Sequence, residues 1–358
     1  MVSLNAVMIS SPVSSAVLAA IWFGLAFLMS VLVLFVLLRS GLAMRLATDV
    51  PNHRSLHVKP IPRVGGWGII PVSLLLMLIA APQLSWLAAG AGLLAGMSHF
   101  DDRGGLSARV RFLVQFVVAA TFFTLFRPVL PVLNHWWCLV VLTFGLVWLI
   151  NLYNFMDGAD GLAGGMAVVG FLTYALAAAG VGHQAVSDTS VHVDPQLAYA
   201  AIIVCGATAG FLLFNFHPAR IFLGDAGSIP LGFLAGALGY WGWRAEVWPC
   251  WFPLLVFAPF IADASVTLLR RVLRGEKFWH AHREHYYQRM VQMGMGHQRT
   301  ALSWYAVMVV GAALALSLAH VSLLLQIVGL GFWGLVLLLC ARRIDQLWAR
   351  FNQMKVSQ

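Results

Sequence analysis

Ser15-Ala-Val-Leu-Ala-Ala-Ile-Trp-Phe-Gly-Leu-Ala-Phe-Leu-Met-Ser-Val-Leu-Val-Leu-Phe-Val-Leu-Leu38 carries no charged side chain from end to end. A helix needs about 20 mostly apolar residues to cross the hydrocarbon of a bilayer, and this run exceeds that. Ten further runs follow, near 66–82, 83–99, 109–127, 137–153, 162–180, 196–215, 229–243, 249–269, 301–318 and 321–341. The whole chain agrees with them: of 358 residues 61 % are hydrophobic and 10 % charged. A soluble domain has roughly 25 % charged residues. A soluble, disordered or collagenous protein is thereby excluded. The expected fold is all-α: a polytopic membrane protein of about eleven transmembrane helices, forming one domain over residues 1–358. The first run has no basic residue ahead of it and no A-x-A site after it, so it is expected to be a retained helix.

Charge sets the expected orientation. With the N-terminus outside, the inner segments are 39–65, 100–108, 154–161, 216–228, 270–300 and the tail from 342. Of the 22 basic residues, 20 then lie on or beside the inner face, and only Arg127 and Arg244 lie at the other. The positive-inside rule predicts N-terminus out and C-terminus in. It also accounts for the net charge of +9 without a nucleic-acid partner. The four cysteines, Cys138, Cys205, Cys250 and Cys340, are scattered with no metal-binding spacing.

The positive-inside rule does not explain the acids. Ten of the 13 carboxylates fall on or near the inner side: Asp49, Asp101, Asp102, Asp157, Asp160, Asp225, Asp263, Glu276, Glu284 and Asp345. Asp101-Asp102 ends the third run, and Asp157-x-x-Asp160 follows the fifth. Like-charged neighbours repel unless a cation or shared basic partners stand between them. Asp225 lies in Phe222-Leu-Gly-Asp-Ala-Gly-Ser228, whose glycines permit a sharp turn with exposed amide N–H groups suited to phosphate oxygens. Asp263, inside an apolar run, either marks an intramembrane site or pairs with Arg270, seven residues on. Two basic, histidine-bearing segments face these acids: Asp49–Gly66, with His53, His57 and Lys59, and His280-Ala-His-Arg-Glu-His285. Acids with amides and glycines favour a hard cation, Mg²⁺ or Mn²⁺, completed by substrate phosphates. The chemistry indicated is phosphoryl transfer at the inner surface. An ion-coupled transporter would place its acids near the midplane, among inverted repeats, and a metalloprotease would need the absent HEXXH.

Five stretches in order resemble the polyprenyl-phosphate N-acetylhexosamine-1-phosphate transferase family, which includes phospho-MurNAc-pentapeptide translocase and GlcNAc-1-phosphate transferases. They are Pro51–Gly66 (PNHRSLHVKPIPRVGG), Asp101-Asp102, Asn151–Leu162 (NLYNFMDGADGL), Phe222–Ser228 and the histidine segment. The resemblance implies transfer of a sugar 1-phosphate from a UDP-N-acetylhexosamine to undecaprenyl phosphate, with Mg²⁺ as cofactor and UMP as leaving group. It further implies a bacterial inner (cytoplasmic) membrane location, an active site facing the cytoplasm, and roles for single residues. By motif position, Asp225, Asn154 and Asp101 look like metal ligands. Asp101 and Asp102 handle the lipid phosphate, Asp157 and Asp160 serve the nucleotide-sugar site, and Lys59 contacts phosphate. Asn151, His282 and Arg283 are assigned to substrate binding and His285 to catalysis. A homodimer is compatible with the resemblance. One departure stands out: where GlcNAc-type members carry His-x-His-His, this chain has His285-Tyr-Tyr-Gln288. That points to a variant N-acetyl sugar such as a 6-deoxyhexosamine, as in O-antigen-initiating members.

Overall fold

The computed structural model describes residues 12–49, 60–128, 135–181, 192–277 and 282–356. Each of the eleven apolar runs contains a long helix. These are α1 (Pro12–Arg39), α2 (Gly65–Ala80), α3 (Ser85–Gly104), α4 (Ala108–Leu125), α5 (Trp136–Phe155), α6 (Leu162–Ala178), α7 (Pro195–Asn215), α8 (Asp225–Arg244), α9 (Ala258–Leu273), α10 (Gly296–Leu318) and α11 (Leu323–Val356). Three five-residue helices, Leu42–Leu46, Phe252–Val256 and Tyr286–Met290, lie between them. The helices outrun the apolar runs where nothing stops the backbone ladder. Thus α3 continues through Asp101 and Asp102, and α11 continues past Arg342 and Arg343. The run at 249–269 is broken at Phe257, between Phe252–Val256 and α9.

Among the described residues, six helical stretches are long and apolar enough to cross a membrane: Ser15–Arg39, Ala108–Leu125, Trp136–Phe155, Pro195–Asn215, Tyr286–Leu318 and Leu323–Lys355. Gly65–Ala80 and Leu162–Ala178 are apolar but shorter. The all-helical expectation needs one small amendment. Thr48–Asp49 and Ile61–Pro62 form an antiparallel pair, Thr48 opposite Pro62 and Asp49 opposite Ile61.

The core is built on α6, α7 and α8. Helix α7 packs its small residues against α1: a side chain at Gly206 or Gly210 would run into the carbonyl of Phe23 (2.5 Å) or Phe27 (2.6 Å). Small residues allow this approach, and close packing is what holds helices together where water supplies no hydrophobic drive. Leucines and phenylalanines of α1, α4 and α11 instead remain exposed at the periphery, as in a chain whose outer surface meets lipid.

Candidate active site

The site is assembled around the turn that starts α8. Gly65 N–H donates to the Phe222 carbonyl (2.9 Å), Gly66 N–H to that of Leu223 (3.0 Å), and Phe222 N–H to that of Pro62 (2.9 Å). This short ladder joins two loops far apart in sequence. Gly66 sits so close to α8 that an added methyl would lie 2.5 Å from the Gly227 nitrogen. Gly224, at φ 72°, makes the turn that begins the helix at Asp225.

Three carboxylates converge on Asp225. From the end of α3, Asp101 accepts from Leu106 N–H (2.6 Å) and from Arg111 of α4 (2.9 Å). The same Arg111 nitrogen lies 3.5 Å from Asp225. Asp102 accepts from the Ala226 amide, and Asp157, just beyond α5, accepts from the Gly224 amide. The amides of this turn, expected to be exposed and suited to phosphate oxygens, here hold carboxylates. Asn154 donates its amide to Asp225 and accepts from the Ser228 hydroxyl at 2.6 Å.

Electrostatics within this group are unfavourable. Burial, then repulsion from Asp225, pushes the Asp102 carboxyl up to about 7, with Arg63 opposing. Burial and repulsion from Asp225 hold Asp157 well above the usual carboxylate range. Burial raises Asp225, against the pull of Arg63 and Arg111. Added positive charge would relieve all three. No three His, Cys, Asp or Glu side chains among the described residues form a ready-made ligand set. A hard cation such as Mg²⁺ needs only one or two protein carboxylates, its other positions taking substrate phosphates and water. Asp225 and Asp101, already sharing one cationic partner in Arg111, are the residues that would hold it. The Asn154 oxygen is engaged by Ser228, so in this structure Asn154 orients Asp225.

Asp157 and Asp160, three residues apart, are directed to different partners. Helix α5 ends at Phe155, so the two acids lie in a turn and not on a helical face. Asp160 is buried, accepts from Ala219 N–H (3.2 Å) and stands 2.6 Å from His217 Nδ1. Its own amide donates to His297 Nδ1 at 3.1 Å, and the two imidazoles lie parallel, 5.5 Å apart. Asn151 turns away from the acids: its amide donates to Gln115 (2.6 Å) and to the Val147 carbonyl (2.8 Å). Lys59, with His53, His57 and His280, lies outside the described residues.

The histidine segment docks beside the carboxylates. Tyr287 donates its hydroxyl to the Phe155 carbonyl at 3.0 Å, next to Asn154 and Asp157. The rings of His282 and His285 are 4.8 Å apart, and the main-chain carbonyl of Arg283 accepts from Gln292 at 2.9 Å. Burial, with His285 and Arg271 nearby, pushes His282 down to about 4, so it stays neutral. The simple pairing of Asp263 with Arg270 is not found. Arg270 makes a two-pronged bond to Asp345 of α11 (2.9 Å and 2.9 Å), while Asp263 bonds to the histidine segment. Seven residues along a helix is about 10 Å, too far for a direct ion pair. Sequence reasoning did not assign Arg63, Arg111, Ser228, His217 or His297 to the site. Arg63 and Ser228 lay within quoted motifs and Arg111 shortly after Asp101-Asp102, whereas His217 and His297 lay in none.

Comparison with known proteins gives this arrangement a family. The profile of Glycosyl transferase family 4 matches residues 84–242, which include Asp101, Asp102, Asn154, Asp157, Asp160 and Asp225. The chain is 31 % identical over 308 residues to a decaprenyl-phosphate N-acetylglucosaminephosphotransferase of Mycolicibacterium smegmatis, covering 75 % of each chain. It is 28 % identical over 276 residues to a probable undecaprenyl-phosphate N-acetylglucosaminyl 1-phosphate transferase of Bacillus subtilis, covering 73 % of this chain and 74 % of the relative. A shorter match, 36 % over 140 residues, links it to the phospho-N-acetylmuramoyl-pentapeptide-transferase of Geobacillus kaustophilus, across 36 % and 40 % of the two chains. With four separated motifs meeting at one end of the helices and relatives of this kind spanning three quarters of its length, the chain belongs to glycosyl transferase family 4 and is a membrane enzyme of the polyprenyl-phosphate sugar-phosphate transferase type.

Proposed function

We propose that the protein transfers N-acetylhexosamine 1-phosphate from a UDP-sugar to undecaprenyl phosphate. An oxygen of the lipid phosphate attacks the β-phosphorus, the bond to the bridging oxygen breaks, and UMP leaves. The product is a lipid-linked diphosphate sugar that starts an O-antigen-like surface glycan. The observation that carries this reading is the group of Asp101, Asp102, Asp157 and Asp225, held in mutual repulsion beside Arg63 and Arg111. Mg²⁺ or Mn²⁺ held by Asp225 and Asp101, with Asn154 orienting Asp225, would neutralise the diphosphate as charge develops on the departing UMP.

The protein's own residues position the two anions. Asp102 orients the lipid phosphate and takes any proton it carries, Arg111 and Lys59 meet phosphate oxygens, and Asp157 and Asp160 hold the nucleotide sugar. The lipid phosphate is already an anionic oxygen nucleophile, so direct transfer needs no phospho-enzyme; alignment and charge screening supply the acceleration. The chain crosses the bacterial inner membrane about eleven times with its N-terminus outside and its site facing the cytoplasm, as the distribution of basic residues supports. Reporter fusions after residues 60, 190, 285 and 358 should read in, out, in and in.

The deciding experiment gives purified protein undecaprenyl phosphate, Mg²⁺ and a panel of UDP-N-acetyl sugars. UMP release with matching lipid product, strongest for a 6-deoxy sugar, is expected. No UMP release with any sugar would overturn the reading. Preference for UDP-GlcNAc would overturn the sugar assignment alone.

A further inference from the structure

Asp263 has a wholly buried side chain within α9. A carboxylate so placed is costly unless donors reach it, and four groups do. Oδ1 accepts from Tyr286 N–H at 2.9 Å and from the Thr267 hydroxyl at 3.2 Å, and it faces His285 Nδ1 at 3.2 Å. Oδ2 accepts from Tyr287 N–H at 3.1 Å. The two amides open the short helix Tyr286–Met290, so Asp263 caps it from a different helix.

This geometry constrains the imidazole. An ionised carboxylate only accepts, so attraction requires the proton of His285 to sit on Nδ1. In the neutral ring Nε2 is then the basic nitrogen. The ring is also held from turning over. It stacks near Phe155 (6.4 Å between centroids, 24° between planes) and Tyr287 (5.8 Å, 15°), and its side chain is only 4 % exposed. Tyr287 is itself buried and fastened to the Phe155 carbonyl. One carboxylate therefore sets both the tautomer of His285 and the seat of its segment against the turn that carries Asn154 and Asp157.

We infer that Asp263 is a positioning residue of the transferase, fixing His285 as the Nδ1–H tautomer on a segment locked to the Asn154–Asp157 turn. Its catalytic consequence rests on the proposed transfer reaction; its hold on His285 does not. A merely capping carboxylate would affect stability without selecting a tautomer, and this difference can be measured.

The test uses full-length protein in nanodiscs, as wild type, Asp263→Asn, Asp263→Glu, His285→Gln and the Asp263→Asn/His285→Gln double variant. In ¹⁵N-histidine spectra, the signal lost in His285→Gln should report the Nδ1–H form in wild type. It should move toward the Nε2–H form in Asp263→Asn and stay put in Asp263→Glu. In the UMP-release assay, Asp263→Asn should lower kcat by about 10–100-fold, the usual scale for loss of a histidine's orienting partner. KM for undecaprenyl phosphate should stay unchanged, and the double variant should be no worse than His285→Gln alone. An Nε2–H signal for His285 in wild type would overturn the inference whatever the activities. So would losses that multiply in the double variant. Absence of UMP release from wild type would sink the reaction, while the spectra would still decide what Asp263 does.

Discussion

Asp225 and Asp263 lie on neighbouring helices of one protein, and their surroundings are opposite. Asp225 stands among like charges, with Asp101, Asp102 and Asp157 around it and two arginines as compensation. Asp263 stands among donors: two amides, a hydroxyl and an imidazole. The first arrangement costs the fold energy, which added positive charge would relieve. The second is complete in itself and supports what lies around it. A buried acid is thus informative through its partners: unrelieved repulsion marks where substrate or cation binds, and full satisfaction marks scaffold.

Neutralising each acid tests that contrast. The largest effect should be in activity: Asp225→Asn should lower turnover at least about 100-fold, the scale on which loss of one preorganised charge-stabilising group is felt. The same change relieves repulsion, so the thermal midpoint in detergent should equal or exceed that of wild type. A variant that turns over normally at ordinary Mg²⁺ would remove Asp225 from the site. Next comes stability. Asp263→Ala strands the Tyr286 and Tyr287 amides, and should cost about 2–4 kcal/mol of unfolding free energy. Equal midpoints for Asp263→Ala and Asp225→Asn would erase the distinction between the two acids. The smallest effect concerns pH. Unfolded, His282 takes a proton near its ordinary value of 6.5; folded, burial defers this to about 4. The unfolded chain binds more protons across that window, so stability should decline as pH falls from 6.5 toward 4. His282→Asn should flatten part of that decline, and superimposable stability–pH curves would show that the ring is solvated.

Much of the fold was legible because long, mostly apolar runs have few alternatives to helix, and all eleven runs contain one. The acids of the site were legible too, since Asp101-Asp102 and Gly224-Asp225 demand explanation wherever they are met. What the sequence hid is pairing across distance. Asp263 finds its partners at residues 285–287, and Arg270 finds Asp345, 75 residues away. His217 and His297 meet over Asp160 only because α7 and α10 bring their ends together. Asp157 and Asp160 lie three residues apart in the turn after α5, yet one meets the Gly224 amide and the other His217. No periodicity in a sequence encodes such tertiary meetings.

The ladder between Pro62–Gly66 and Phe222–Leu223 also sets a timetable for biosynthesis. A ribosome adding about 5–20 residues per second needs about 10–30 s to travel from Gly66 to Leu223. Throughout that interval α2 stands without the loop that receives its first two amides, and Asp101 and Asp102 have no Asp225 to oppose. The site is therefore a late product of synthesis: its carboxylates meet only once Asp225 is made, and the histidine segment at 282–285 follows later still. A chain that stops short of Phe222 would carry most of the long helices and Asp101, Asp102 and Asp157, but not the Asp225 on which they converge.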